Sequence, residues 1–289
     1  MWNENLKGMV GDLVLFSKVI YLNILKLNPV KREKDRCSKM KLRAIVRPPG
    51  RNFKNCLSIH PLHHTVNFEL ALEQHRKYCN VLLNLGVELI KLKPDDGHPD
   101  SCFVEDTVVI HGHRAMITRM AKESRRGESD EIESILSEFN QMNSVKAPGT
   151  LEGGDVIHLP DSLLCGISKR TNFEGASQME QWLETTVHRI EDPSIMHIKS
   201  HITYLERNVI LVNPRYVDNP VLKGFTKIIL PKEEAHSANT LTIDNVVILS
   251  NRHNRTSRLI QEAGFDVIQL DMSEFEKCDG ALTCLSIVF

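Results

Sequence analysis

The feature that most constrains the fold of this chain is a pattern of about 50 residues that recurs after residue 40. In each copy, two short apolar segments flank a tight turn, and a helical segment and a further apolar segment follow. Asp155 opens the clearest copy, and Asp106 holds the same position 49 residues earlier. A period of this length is typical of repeat architectures, in which each unit packs against its neighbours.

The two clear copies predict the same elements in the same order. The first predicts strands over 107–110 and 115–118, a helix over 130–139 and a short strand over 145–147. The second predicts strands over 155–159 and 163–167, a helix over 175–186 and a closing strand over 194–198. The last of these strands has His197 near its end.

Weaker copies and the two chain ends complete the pattern. Strand pairs over 204–213 and 240–249 are each followed by another strand, over 227–230 and 265–270, and a helix is expected over 256–263. The final strand, 282–289, has no continuation; its partners are expected at the front, as strands over 42–47 and 87–92 with a helix over 66–85. Five units whose ends complete each other predict a circular α/β repeat, because closure removes exposed strand edges. A doubly wound sheet is the second interpretation, although hairpins alternating with helices fit it poorly.

Composition restricts the possible partners. With 41% apolar and 25% charged residues, the chain has the composition of a soluble globular protein. Its net charge of -1 argues against nucleic acid and anionic membranes as partners, since both require a basic excess. The apolar segment 9–27 is interrupted by charged residues, so no integral membrane span is expected. We expect residues 1–40 to form an extension, with an amphipathic helix and a linker, and residues 41–289 to form a single catalytic domain.

The cysteines indicate a reducing environment. The seven cysteines are an odd number, are widely spaced and include no Cys-x-x-Cys pair. This pattern predicts neither a disulfide framework nor a structural zinc site. An intracellular, cytoplasmic location is therefore expected.

Four short segments combine residue types that support chemistry. Residues 100–106 place three carboxylates around Phe103, and residues 150–155 place two glycines between Glu152 and Asp155. The other two segments are a histidine segment, 196–200, and a cysteine segment, 279–286, in which a glycine turn precedes Cys284. Carboxylates in apolar surroundings favour a cationic partner such as a guanidinium, and a cysteine becomes a nucleophile when a base activates it. Taken singly, each segment is also compatible with an ordinary turn or a core position.

Together and in this order, the segments resemble those of the dimethylarginine dimethylaminohydrolases in the pentein superfamily. The resemblance runs from about Leu42 to the C-terminus and includes the Ser-Lys-Arg-Thr-Asn segment at 168–172. It implies the pentein fold, a five-bladed α/β propeller of ββαβ modules, which agrees with the five units counted above. Related families of the same superfamily use similar segments.

The resemblance also implies a role for each site residue. Cys284 matches the nucleophile, His197 the general acid and base, and Glu152 the carboxylate that orients the histidine. The substrate-binding positions it implies are Asp106 and Glu105 for the guanidinium, Asp100 for the α-amino group, Arg125 and Arg170 for the carboxylate, Phe103 for an aromatic wall, and Asp279 beside the nucleophile. Residues 48–59 match a mobile lid, in which Leu57 is the expected contact. Leu285 stands where the family can have a second cysteine.

The implied reaction hydrolyses methylated arginines, such as asymmetric dimethylarginine and monomethylarginine, to citrulline and a methylamine, through a thiouronium on the cysteine. It needs no cofactor and no metal, and its only expected partner is the small-molecule substrate, in a monomer or homodimer. It would place the protein in arginine metabolism and in nitric oxide regulation. Arginine deiminases and amidinotransferases use similar residues but usually longer chains, and a non-catalytic pentein binding protein is the alternative from another class.

Overall fold

The computed structural model describes residues 41–289, which contain fifteen β-strands in five three-stranded sheets. The strands are β1 (Arg43–Val46), β2 (Glu88–Lys91), β3 (Val108–His111), β4 (Arg114–Ile117), β5 (Gln141–Ser144), β6 (Val156–Leu159), β7 (Ser162–Ile167), β8 (Val187–Glu191), β9 (Ile202–Glu206), β10 (Val209–Val212), β11 (Thr226–Ile229), β12 (Leu241–Ile243), β13 (Val246–Ser250), β14 (Asp266–Leu270) and β15 (Ile287–Val288). The α-helices are α1 (Phe68–Asn84), α2 (Asp130–Leu136), α3 (Phe173–Leu183), α4 (Asn254–Glu262) and α5 (Ser273–Glu276).

Every sheet has the same topology. In the four sheets built from consecutive strands, the first two strands form an antiparallel pair and the third pairs in parallel with the second. A parallel partner requires a crossover connection, and helices supply it in β4–α2–β5, β7–α3–β8 and β13–α4–β14. Between β10 and β11 two short 3-10 turns replace the helix, each beginning with a proline, Pro214 and Pro220.

The remaining sheet joins the two ends of the described chain. Its central strand β1 pairs in antiparallel with β15, where Ala44 lies opposite Val288, and in parallel with β2. Helix α1 connects β1 to β2, and it begins at Asn67, whose side chain accepts a hydrogen bond from the amide of Leu70. The last strand therefore completes the first unit, which confirms the predicted five-bladed α/β propeller.

Apolar side chains from neighbouring units fill the space between the sheets. Helix α3, for example, packs Met179 and Leu183 against Met116 of β4 and Leu163 of β7. The indole of Trp182 reaches back to the preceding unit and donates a hydrogen bond to the carbonyl of Ala115 at 3.0 Å. Each unit thus buries part of its core against the next, as a repeat architecture requires.

Three predicted strands need correction. The parallel strands of two units are β5 and β8, so the predicted strands over 145–147 and 194–198 are loop. Both true strands lie at the edge of their sheets; β5 alternates exposed with partly buried positions, and β8 mixes exposed and buried positions. Their polar sequences therefore lack the apolar signal on which the predictions relied. The last strand is also shorter than predicted, and Cys284 lies in a 3-10 turn, Thr283–Leu285, before β15.

The cysteine prediction also needs correction, because Cys56 and Cys278 form a disulfide across 222 residues of sequence. Spacing along the chain contains no signal for a pair so distant. Cys79, Cys102 and Cys165 are free and buried, and Cys284 is free and partly buried.

Within residues 41–289, no helix combines the length and the apolar character that crossing a membrane requires. The amphipathic extension and linker expected for residues 1–40 lie outside the described residues and remain a prediction, as does the domain boundary that goes with them.

Candidate active site

A small pocket of about 30 Å³ contains most of the residues that the sequence singles out. Its walls are formed by Leu57, Asp100, Phe103, Asp106, Arg125, Arg170, Met196, His197, Cys278, Asp279, Gly280 and Cys284. Glu152 lies behind this wall and contacts it through His197. Glu105 is the only predicted site residue that faces elsewhere, and its position is described below.

His197 and Glu152 form the central ion pair of the site. The Nε2 atom of His197 lies 2.8 Å from Oε2 of Glu152, and the Glu152 side chain is fully buried. Burial alone would lower the pKa of His197, but the carboxylates of Asp106 and Glu152 outweigh it and raise this pKa to about 9. The imidazole is therefore protonated at neutral pH in the pocket and can serve as a proton donor.

Two glycines allow this close packing. A Cβ atom on Gly154 would lie 2.8 Å from the ring of His197 and 2.9 Å from Oδ1 of Asp106. A Cβ atom on Gly280 would meet the ring of Phe103 at 2.2 Å. The double glycine after Glu152 and the glycine after Asp279 are thus required by close approaches within the site, not only by a turn.

Cys284 lines the pocket from a turn that the C-terminal segment provides. Burial, together with the negative charges of Glu105 and Asp106, raises the pKa of the Cys284 thiol well above its ordinary value. Without a bound cation the sulfur is thus held as a thiol. A cationic ligand in the pocket would offset these negative charges and favour the thiolate.

Asp106 and Arg125 form a second ion pair, which extends to Glu128. The Nη1 atom of Arg125 lies 2.9 Å from Oδ2 of Asp106, and its Nε and Nη2 atoms donate to the carboxylate of Glu128. Oδ1 of Asp106 accepts a hydrogen bond from the amide of Gly154 at 3.0 Å. Burial would raise the pKa of Asp106, but the positive charges of His197 and Arg125 keep it below its usual value.

The two arginines predicted to bind a carboxylate differ in their available donors. Arg125 has Nε, Nη1 and Nη2 engaged with protein carboxylates, as just described. Arg170 makes longer contacts: its Nη1 lies 3.4 Å from Oε1 of Glu152, and its Nη2 lies 3.7 Å from the sulfur of Met196. The guanidinium of Arg170 is therefore freer than that of Arg125 to bind a ligand.

Asp100 and Asp279 hold the lid in this structure. Both carboxylate oxygens of Asp100 lie 3.1 Å from the amide nitrogen of Leu57. The Oδ2 atom of Asp279 accepts hydrogen bonds from the hydroxyl of Ser58 at 2.7 Å and from the amide of Ile59 at 2.9 Å. Leu57, the predicted lid contact, is thereby held against the pocket, and the space left inside is small.

Glu105 does not share the pocket with Asp106. Its Oε1 atom accepts a hydrogen bond from Nζ of Lys199 at 2.6 Å, and its Oε2 atom accepts one from the hydroxyl of Thr283 at 2.5 Å. Together these three residues line a separate, larger cavity of about 780 Å³. The prediction that Glu105 holds a guanidinium is thus not supported by its position, because both its oxygens are engaged on the far side of the site.

Several residues of the site were not predicted from the sequence. Glu128 shares Arg125 with Asp106, and Met196 contacts Arg170. The fully buried Asp155 accepts hydrogen bonds from the amide of Ile198 at 2.9 Å and the hydroxyl of Ser168 at 2.6 Å, and so holds the segment after His197. Only Asp155 had a usable signal, because it occupies in its repeat the position that Asp106 occupies in the previous one.

One group of side chains within residues 41–289 has the composition of a metal site. Potential ligand atoms of Asp106, Glu152 and His197 lie within 4.8 Å of one another. The Nε2 atom that would bind a metal is the one already paired with Glu152, and Arg125 already neutralises Asp106. The three side chains are therefore explained by their ion pairs with one another and with Arg125.

Comparisons with known proteins agree with this description. The family model for eukaryotic N,N dimethylarginine dimethylhydrolase matches residues 53–287. An N(G),N(G)-dimethylarginine dimethylaminohydrolase from Pseudomonas aeruginosa is 37% identical over 252 residues, which is 85% of this chain and 98% of the relative. One from Streptomyces coelicolor is 32% identical over 249 residues, which is 85% of this chain and 96% of the relative.

Solved structures show the same likeness. The Pseudomonas aeruginosa enzyme, as a mutant in complex with citrulline, superposes with a TM-score of 0.83 at 36% identity, over 86% of this chain and 98% of the other. The N-terminal domain of a cyanobacterial arginine dihydrolase superposes with a TM-score of 0.79 at 21% identity and so shares the fold.

Five three-stranded units, four of them with a crossover α-helix, around a pocket that contains a cysteine, a histidine and several carboxylates define a member of the pentein superfamily. Within it, the family model and the two relatives identify the particular group. The chain belongs to the dimethylarginine dimethylaminohydrolase family.

Proposed function

We propose that this protein hydrolyses Nω-methylated arginines, asymmetric dimethylarginine and monomethylarginine, to citrulline and dimethylamine or methylamine. The observation that carries the proposal is the shared pocket of Cys284, His197 and Asp106, in which Glu152 lies 2.8 Å from His197. The carboxylates of the pocket can hold the cationic groups of an arginine-like substrate, its arginines can hold a carboxylate, and the thiol and imidazolium supply a nucleophile and a proton donor. Residues 41–289 would form the catalytic domain.

Substrate binding would use the carboxylates and arginines of the pocket. Asp106 is the acid best placed to face a guanidinium, since its neighbour Glu105 is engaged with Lys199. Arg170 would bind the α-carboxylate, with Arg125 as a second contact if it rearranges from Asp106 and Glu128. Asp100 would bind the α-amino group once the amide of Leu57 leaves it. Phe103 would form an apolar wall, and Asp279 would hold the lid.

The first chemical step would form a covalent intermediate. The substrate cation offsets the charges that raise the pKa of Cys284, and the thiolate attacks the central carbon of the guanidinium. The bond from this carbon to the methylated nitrogen then breaks, and protonated His197 gives its proton to the leaving amine. A thiouronium remains on Cys284 and His197 is left neutral, while the proton that the thiol lost on substrate binding has gone to solvent.

The second step would release the product. His197, now neutral and oriented by Glu152, takes a proton from a water molecule that attacks the same carbon. The carbon–sulfur bond breaks, which returns the thiolate; the second proton of the water leaves to solvent, and its oxygen becomes the ureido oxygen of citrulline. Protein side chains alone supply the nucleophile, acid and base in this scheme, so it uses no cofactor.

The decisive experiment measures citrulline from three substrates in separate incubations. We expect citrulline from asymmetric dimethylarginine and monomethylarginine and none from arginine. Citrulline from arginine alone would instead make the protein a deiminase. A folded protein that forms no citrulline from any of the three would contradict the proposal and favour an amidinotransferase or a binding role. A Cys165→Ala variant, which removes a buried free thiol outside the pocket, is the matched control and should keep the activity.

The wider setting follows from this reaction. A methylarginine hydrolase needs only its small-molecule substrate as a partner, which is compatible with a monomer or a homodimer. We propose that it works in the cytoplasm, where methylarginines released from proteins would be its substrates and nitric oxide regulation its context.

A further inference from the structure

The disulfide between Cys56 and Cys278 lies at the pocket and joins two segments that close it. Cys56 directly precedes Leu57 in the lid, and Cys278 directly precedes Asp279 in the loop that leads to Cys284. We propose that this pair is a reversible thiol–disulfide site that controls opening of the lid.

The disulfide joins the same two segments that the hydrogen bonds of the lid hold together. The lid is held by hydrogen bonds from the amide of Leu57 to Asp100 and from Ser58 and Ile59 to Asp279. Each of these is a single reversible hydrogen bond, and water can replace it when the lid opens. The disulfide links the same two segments, and water cannot replace it. Reduction therefore removes the one connection that thermal motion cannot break.

The small size of the pocket makes opening necessary. Its volume of about 30 Å³ is far below the roughly 300–1,000 Å³ of pockets that bind small molecules. A ligand can enter or leave only if the lid moves away from Asp100 and Asp279. A bond that fastens Cys56 to Cys278 restricts this movement at the edge of the pocket itself.

The pair is also positioned to exchange with small thiols. Cys278 is buried but lines the pocket, so a small thiol that enters when the lid fluctuates arrives beside this residue. Two molecules of a small thiol reduce the bond: the sulfur–sulfur bond breaks, Cys56 and Cys278 each gain a proton and an electron, and the small thiol becomes a disulfide. A small-molecule disulfide reverses the reaction. In a reducing compartment such bonds are typically transient and regulatory.

The direction of the effect follows from the small volume of the pocket, and this part rests on the proposed function. The oxidised protein should spend less time in the open form that admits substrate. If the open form is about tenfold less populated when the bond is present, kcat/KM for asymmetric dimethylarginine falls by about tenfold. The reduced protein should be the active form.

The experiment compares the full chain after equilibration with buffers that range from reduced to oxidised glutathione. Alkylation and peptide mass spectrometry measure the state of Cys56 and Cys278, hydrogen exchange measures the amides of Leu57 and Ile59, and citrulline formation measures turnover. We expect the two amides to exchange faster and kcat/KM to rise as the bond is reduced. The Cys56→Ala variant should show the fast exchange and the high kcat/KM in every buffer, whereas the matched Cys165→Ala variant should respond like the wild type.

Two results would overturn the proposal: equal exchange of the lid amides in the reduced and oxidised wild-type protein, or a Cys56→Ala variant that keeps the full redox response. A redox response that persists in Cys56→Ala would instead come from Cys284. Because hydrogen exchange needs no substrate, a protein that forms no citrulline would disprove the proposed function while the lid amides still decide this inference. If Cys56→Ala does not fold, the exchange of the lid amides in the reduced and oxidised wild-type protein decides the inference by itself.

Discussion

The carboxylate of Glu105 lies 2.6 Å from the ammonium of Lys199, on the opposite side of the site from its neighbour Asp106. Thr283, the residue before Cys284, donates to the other oxygen of Glu105. One buried carboxylate thus links the segments that contain Asp106, His197 and Cys284. Both residues of the ion pair line the larger cavity and neither lines the small pocket.

Loss of one partner in this ion pair should destabilise the fold. In Lys199→Met, the largely buried carboxylate of Glu105 loses its counter-charge; because it lines the large cavity, we expect a cost of about 1–3 kcal/mol, below the value for a fully buried pair. Urea unfolding followed by circular dichroism measures the change. The double variant Lys199→Met/Glu105→Gln should recover part of the loss, because an uncharged amide replaces the isolated charge. Equal stability of Lys199→Met and the wild type would show that the pair contributes nothing.

Replacement of the sulfur should abolish turnover and leave the fold unchanged. In Cys284→Ser the hydroxyl occupies nearly the same volume, but it is a far poorer nucleophile than a thiolate. We expect citrulline formation below detection, with a thermal unfolding midpoint close to that of the wild type. Retained turnover in this variant would disprove the assignment of Cys284 as the nucleophile.

Removal of the Glu152 charge should change the pH dependence of both activity and stability. The pKa of His197 is about 9, above its ordinary 6.5, so the resulting stabilisation is complete below about pH 6.5 and is lost as the pH rises through 9. In Glu152→Gln this pKa falls, so stability should vary less between pH 6.5 and 9.

The same variant should lose activity at a lower pH than the wild type, because protonated His197 is the donor to the leaving amine. Its kcat should fall by about 10²–10⁴. Profiles of kcat and of urea unfolding against pH test both expectations. If the kcat of Glu152→Gln fell at the same high pH as that of the wild type, Glu152 would not be holding the proton on His197.

Arg170 should affect substrate capture more than chemistry. Arg170→Ala removes charge-assisted hydrogen bonds to the α-carboxylate, which are worth about 1.5–3 kcal/mol, so KM should rise by about 10- to 100-fold with a smaller change in kcat. Arg255→Ala, which removes an exposed arginine paired with Glu233, is the matched control and should leave both constants unchanged. An Arg170→Ala variant with wild-type KM would remove Arg170 from the binding site.

Much of the fold could be predicted from the sequence, because the hairpin strands are apolar and recur at a constant spacing. The central strands β4, β7 and β13 are mostly buried and were predicted within a residue or two of their observed bounds. The edge strands β5 and β8 were misplaced, since an edge strand needs few apolar side chains. Pairing of β1 with β15 was predicted because the two chain ends each lacked a partner.

The sequence by itself determined the five units and the residues that meet at their centre, because the period of the apolar pattern and the order of the short motifs are properties of the chain. Only the tertiary structure decided what each side chain contacts there. Glu105 and Asp106 are adjacent in sequence but face different cavities, and Arg125 is engaged with Glu128. Cys56 pairs with Cys278 across 222 residues. Such contacts depend on how distant segments approach one another in three dimensions, and spacing along the chain does not encode that approach.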